Sequence, residues 1–279
     1  MSYKIIVDSC GEFTERLKKD EHFVSVPLQL QVDDHIIVDD DTFNQAEFLR
    51  LVAESPNCPK SSCPSPEKYM QEYTNEAENI YAVTLSSQLS GSYNSAVLGK
   101  NLYHEEKGDK NIHVFDSRSA SIGETLIALK TEECEKSGMK FSEIIKVVEE
   151  YIEGLNTYFV LESLETLRKN GRLSNLKAFV AGALNIKPVM GATKEGTICQ
   201  LGQARGINKA LDKMINLIVE QVKDSENKIL AISHCNCRER ALMVKDELLK
   251  KCKFKDVILC DTAGVSSLYA NDGGIIVVV

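Results

Sequence analysis

The sequence predicts an α/β protein of two domains: an N-terminal domain built on a parallel sheet and a C-terminal α+β domain. The chain has 279 residues, and at roughly 150 residues per domain that length is a prior for two domains or one large one. Over residues 1–156, short apolar runs alternate with longer helical patterns, which is how a mostly parallel sheet flanked by helices is written. From residue 157 to residue 279 the pattern changes to hairpin-forming strands mixed with helices.

The elements follow in order. Ile5–Val7 reads as a short strand ending at Asp8-Ser9. Thr42 with Gln45 three residues on forms a capping box that opens a helix through Val52. Ser65-Pro66-Glu67 is a second start signal, because Pro suits the first helical position. Ile80–Leu85 is a strand, Ser92–Leu102 a helix, Ile112–Phe115 a strand, and Ser121–Lys136 a helix closed by Gly138. In the second half, Tyr158-Phe159-Val160 is a strand, and helical stretches follow at Leu164–Arg168 and Leu176–Leu184. Ile186–Met190 and Ile198–Leu201 form a hairpin across Lys194-Glu195-Gly196. A long amphipathic helix spans Ile207–Val222. Then come a strand (Lys228–Ser233), a helix (Arg238–Lys250), a strand (Val257–Leu259) and a last apolar strand, Ile275–Val279.

Composition excludes several classes. With 43% hydrophobic and 27% charged residues, the chain can bury a core and is not intrinsically disordered. A net charge of −8 argues against a nucleic-acid binder, whose phosphate contacts need a basic face. Neither a secretory signal nor an apolar run of the roughly 20 residues that cross a bilayer is visible, so a cytoplasmic protein is expected. The nine cysteines are odd in number and mostly isolated, and read as reduced thiols. His234-Cys235-Asn236-Cys237 lacks the second spaced pair that a zinc site uses, and no metal is expected.

Ligands of parallel α/β sheets sit beyond the carboxyl ends of the strands. The loops placed there are rich in hydroxyls: Asp8-Ser9, Ser61-Ser62-Cys63-Pro64-Ser65-Pro66, Ser86-Ser87-Gln88-Leu89-Ser90-Gly91-Ser92, and Asp116-Ser117-Arg118-Ser119. Hydroxyls and backbone N–H groups at a helix start can hold a carboxylate or phosphate. Taken singly, each loop also reads as ordinary capping and turn chemistry. No Walker loop or nucleophile elbow is present. Of the five histidines only His234 ends a strand, which leaves a Ser/His/Asp hydrolase without a clear general base. Gly171, between two helical stretches, would free the Arg172 guanidinium to reach across a domain boundary. Asp39-Asp40-Asp41 reads as acids favouring a helix start.

These loops, with Leu85–Ala96 and Asp116-Ser117, resemble the DegV family, which carries a T-S-Q-P-S-P loop, an S-S-x-L-S-G-T-Y-x-S-A loop and a D-S pair in this order. Leu164–Leu173 is similar to its T-L-x-x-L-x-K-G-G-R-I segment, and Leu184–Val189 to its L-x-I-K-P-I run. The resemblance spans essentially the whole chain. It implies a bacterial, cytoplasmic protein that holds one long-chain fatty acid between its domains, without cofactor and without chemistry of its own. It further implies presentation of that acid to a separate fatty-acid kinase subunit. By motif position, Ser61, Ser62, Ser90 and Gly91 would contact the carboxylate, and Arg172 would lie beside it and serve the kinase partnership. The sequence departs from the pattern in Ser61 for Thr, in Cys63 for Gln, and in Ala270-Asn271-Asp272-Gly273-Gly274 for H-T-G-P-G, which removes a histidine. The alternatives are a hydrolase or transferase using one of the serines on an acyl or phosphate ester, and a regulatory protein that has lost its ligand.

Overall fold

The computed structural model describes residues 2–173 and 185–279; the helix expected over 176–184 lies outside them. In the first half the elements run β1 (Tyr3–Asp8), α1 (Glu15–Lys19), β2 (Phe23–Val26), β3 (Gln29–Val32), β4 (His35–Val38), α2 (Gln45–Glu54), β5 (Lys60–Ser62), α3 (Pro66–Tyr73), β6 (Asn79–Thr84), α4 (Ser92–Lys107), β7 (Asn111–Asp116), α5 (Ile122–Lys136) and α6 (Phe141–Gly154). In the second they run β8 (Thr157–Val160), α7 (Glu165–Lys169), β9 (Ile186–Ala192), β10 (Ile198–Arg205), α8 (Ile207–Gln221), β11 (Ile229–His234), α9 (Arg238–Lys251), β12 (Asp256–Asp261), α10 (Gly264–Ala270) and β13 (Ile275–Val278).

The expected parallel sheet is present in the order β2-β1-β6-β7, with every pairing parallel. Both faces of this sheet are covered, so all six residues of β6 are buried, and a doubly covered strand reads as a continuous apolar run. One face packs on α5 and α6 through Ile5, Val7, Tyr81, Phe115, Ile144 and Val148. The other packs on α3 and α4 through Ile6, Ala82, Tyr69, Tyr73 and Ala96.

The second sheet lies wholly after residue 156 and is mixed, in the order β10-β9-β8-β13-β11-β12. Its β9–β10 hairpin is antiparallel as expected. Side chains alternate across a strand, and that alternation divides the labour here. Tyr158 and Val160 of β8, with Ile275 and Val277 of β13, face α8 and α9. Phe159 and Ile276, which are register partners, face back toward the first half of the chain. Helix α5 lies between the two sheets: Ile122 and Leu126 pack on Ala231 and Val278, and Ser121 Oγ lies 2.7 Å from Ser233 Oγ.

Two local expectations are corrected. The Ser61-Ser62 segment is a strand, β5, paired antiparallel with β3 in a small sheet ordered β4-β3-β5. The Thr42–Gln45 capping box does not form. Helix α2 is capped instead by Asn44, whose side chain accepts from the Glu47 amide at 3.1 Å. Thr42 turns back to Asp40, and the Gln45 side-chain Nε2 donates to the Thr262 carbonyl at 3.0 Å.

Candidate functional site

The carboxyl ends of β1, β6 and β7 do gather the hydroxyl-rich loops, but most of their polar groups serve one another. Asp8 is fully buried and accepts from the Cys10 and Leu85 amides and from Ser92 Oγ, the last at 2.5 Å. Ser9 Oγ accepts from the Leu28 amide and donates to Asp39. Asp116 accepts from the amides of Ser87 and Arg118, and Ser117 Oγ donates to the Ser119 carbonyl. Asp8-Ser9 and Asp116-Ser117 are therefore the frame of the loops.

Asp39 holds the two halves together. Its carboxylate accepts from the Gly264 and Val265 amides at 2.7 and 2.8 Å, at the positive N-terminal end of α10. Gln45 reinforces the same contact through Thr262 and Ser267. Helix α10 is thus fixed by residues far from it in sequence, and one of its last residues is Tyr269.

Between the two sheets lies a cavity of about 750 Å³ including its mouth. Leu85, Leu89, Phe159, Leu167, Ile198 and Val265 are among its walls. Among the described residues its lining includes no carboxylate and no imidazole. One end is polar. Ser61 Oγ lies 3.0 Å from the Tyr269 hydroxyl, and the Arg172 guanidinium sits over the Tyr269 ring, 5.4 Å from its centroid. Gly171 adopts φ of 79°, a backbone that favours glycine, and the turn delivers Arg172 across to the first half. There its Nε donates to the Leu89 carbonyl at 3.2 Å and its Nη1 to the Asn170 carbonyl at 2.6 Å.

The predicted site residues separate on this geometry. Ser61 and Arg172 meet at the polar end, joined by Tyr269, which the sequence reading missed. Ser90 follows Leu89 directly, accepts from the Ser92 amide at 3.2 Å and stands at the start of α4. Gly91 caps that helix, so close to Cys63 that a Cβ there would lie 3.1 Å from its sulfur. Ser62 does not join them. On β5 it pairs with Gln29, whereas Ser61 pairs with the buried Leu30, so its exposed side chain leaves on the opposite face. His234 is buried at the end of β11, against the α8–α9 side, 3.4 Å from Asp261. Burial lowers its pKa. Cys235 packs in the apolar cluster beside Leu161 and Ala270.

Behind the cavity wall lies a group of buried acids. Asp8, Cys10 and Glu124 offer ligand atoms within 4.8 Å of one another. Loss of water raises all three, Glu124 well above the carboxyl range. Glu12, beside Ser121, is pushed up to about 8, again by burial. A low-dielectric pocket of carboxyls without a facing cation takes up protons rather than carrying several charges. Burial likewise raises the Tyr269 phenol, opposed by its bond to Ser61 and by Arg172.

The whole chain, residues 2–279, matches the DegV family of uncharacterised proteins. A DegV domain-containing protein of Streptococcus pneumoniae is 34% identical over 278 residues, which is 99% of this chain and 98% of that protein. Among solved structures, a DegV-family protein of Ruminococcus gnavus refined with vaccenic acid is 59% identical, with a TM-score of 0.97 over 100% of this chain and 99% of its own. The fatty acid kinase (Fak) B3 protein of Streptococcus pneumoniae, loaded with linoleic acid, is 33% identical with a TM-score of 0.90, covering 100% of this chain and 99% of the other. A DegV-family protein of Eubacterium eligens loaded with heptadecanoic acid is 27% identical with a TM-score of 0.90, covering 99% of both chains. The chain belongs to the DegV family.

Proposed function

We propose that this protein binds one long-chain fatty acid in the cavity between its two sheets, the tail among the apolar walls and the carboxylate at the Ser61–Tyr269–Arg172 end. The observation that carries this is a cavity with largely apolar walls, at one end of which the Tyr269 hydroxyl, in contact with Ser61, meets the Arg172 guanidinium. A tail of about 15 methylenes at 0.8 kcal/mol each contributes on the order of 12 kcal/mol before the costs of association. The head contributes little affinity but must be hydrogen-bonded, because an unpaired buried carboxylate opposes binding. Ser61, Ser90, the Gly91 amide and Arg172 serve that need, and Ser62 is left outside it. The fatty acids held by the Ruminococcus and Eubacterium relatives support the reading.

The domains on this reading are 1–156 and 157–279, with the ligand at their boundary. The protein works without cofactor or metal and carries out no covalent step. Likeness to the Fak B3 protein supports presentation of the carboxylate to a separate ATP-dependent kinase subunit in the cytoplasm, with Arg172 at the junction. A serine hydrolase is disfavoured because the cavity lining among the described residues includes no carboxylate or imidazole to act as general base.

Solvent extraction of the purified protein, followed by mass spectrometry, tests the reading. About one fatty acid per chain is expected. Absence of lipid together with no uptake of added oleate or palmitate would overturn it. For the partner, Arg172→Ala should cut acyl-phosphate formation with a kinase subunit more than it cuts lipid binding; unchanged phosphorylation removes Arg172 from that role.

A further inference from the structure

Resting on the fatty-acid reading, we infer that Tyr269 sets head-group selectivity: its phenol and its ring aim Ser61 and Arg172 at one point, so that the cavity takes an ionised carboxylate in preference to a neutral head. Each hydroxyl has one proton to give. At 3.0 Å, Ser61 and Tyr269 share one proton between them, and whichever donates, the pair keeps one for a third group. That group must be an acceptor.

Arg172 adds only donors. Two of its N–H groups are spent on the carbonyls of Leu89 and Asn170, which fixes the plane of the guanidinium. Its Nη2 has no protein acceptor among the described residues. The Tyr269 ring beneath it adds the attraction of a cation for an aromatic face. No carboxylate among the described residues lines this cavity, so no anion there neutralises Arg172, and a ligand hydroxyl finds at this end only neutral hydroxyl oxygens as side-chain acceptors. An end that sets a cation beside a free hydroxyl proton matches best a head group that is all acceptor and negatively charged, because hydrogen bonds between charged partners are the stronger ones. An alcohol brings no charge and a single acceptor oxygen, and an ester brings neither the charge nor the second strong acceptor.

The fold holds Tyr269 in place independently of any ligand. The N-terminus of α10 is held by Asp39 and its middle by Gln45. The phenol therefore presents itself before the ligand arrives, which is how a group contributes to selectivity at little ordering cost.

Displacement of a bound fluorescent fatty acid by oleic acid, oleyl alcohol and methyl oleate tests the inference on the intact protein at pH 8. Tyr269→Phe keeps the ring and removes the hydroxyl. It should weaken oleic acid 5- to 20-fold and leave oleyl alcohol and methyl oleate within twofold, with an unchanged melting temperature. Tyr269→Leu, which also removes the surface under Arg172, should weaken oleic acid further and narrow the acid-to-alcohol ratio. Tyr269→Phe binding oleic acid like the wild type overturns the inference and leaves the fatty-acid reading standing. Equal losses for acid and alcohol also overturn it, because they reduce Tyr269 to a piece of cavity wall. A wild-type protein that binds none of the three overturns both.

Discussion

The two ends of the serine-rich surface look alike in sequence and behave oppositely. At the carboxyl ends of β1 and β7, Asp8, Ser9, Asp116 and Ser117 are consumed by backbone groups and by the side chains of Ser92 and Asp39. At the end of the cavity, Ser61, Tyr269 and Arg172 meet with protons still to give. Hydroxyl density alone does not mark a binding site. The two regions differ in whether the polar inventory is already closed, and that depends on partners brought from elsewhere in the chain.

The closed region should fail as structure, and the largest effect belongs to its buried acids. Glu12 titrates near 8 in the folded protein against an ordinary value of 4.5, so folding takes up a proton. Its stabilising contribution is complete below pH 4.5 and is lost as pH rises to about 8. Asp39, raised from 3.8 to about 6, adds a narrower window in the same direction. Urea unfolding should therefore show falling stability between pH 5 and pH 8. Glu12→Gln should recover on the order of 4 kcal/mol at pH 8 and little at pH 5. A wild-type stability that rises over that interval would contradict the protonation assigned to these groups.

Asp39→Ala comes next. It leaves the Gly264 and Val265 amides and Ser9 Oγ without their acceptor, and unpaired buried donors cost about 1–3 kcal/mol each at most. A loss of about 2–4 kcal/mol in stability is expected, read from the urea midpoint. Fatty-acid affinity should fall with it, since α10 carries Tyr269. Asp40→Ala, on a neighbouring exposed turn, should stay within about 0.5 kcal/mol of the wild type.

How much of this was legible in the sequence follows from the same contrast. Three strands of the parallel sheet announce themselves because burial on both faces writes an apolar run, as in Ile80–Val83, whereas the edge strand β2, half exposed, was not read. Arg172 was legible through Gly171. Strands β3 and β5 were not: Gln29, Leu30, Gln31 and Lys60, Ser61, Ser62 look like polar connections until they pair. Helix α6 carries Ile144, Val148 and Ile152 at four-residue spacing, a stripe that a strand–helix scheme ending at Gly138 passes over. Tyr269 gave no local signal. Its partner Ser61 is 208 residues away, and the helix that carries it has seven residues, too few for a clear period.

The smallest effect is the sharpest test of the comparison, because it sets two adjacent serines against each other. Ser61 and Ser62 share a strand, a residue type and a motif, and differ in the face of β5 they occupy. Ser61→Ala removes the partner of the Tyr269 hydroxyl and one donor from the polar end, a net loss of about 1–1.5 kcal/mol in binding. That is roughly a 5- to 12-fold rise in the dissociation constant for oleic acid. Ser62→Ala changes an exposed side chain paired opposite Gln29 and should leave that constant within twofold. Equal losses from the two substitutions would mean that the β5 register reverses or opens when the ligand binds, and that a closed inventory in the free protein is no guide to its bound state.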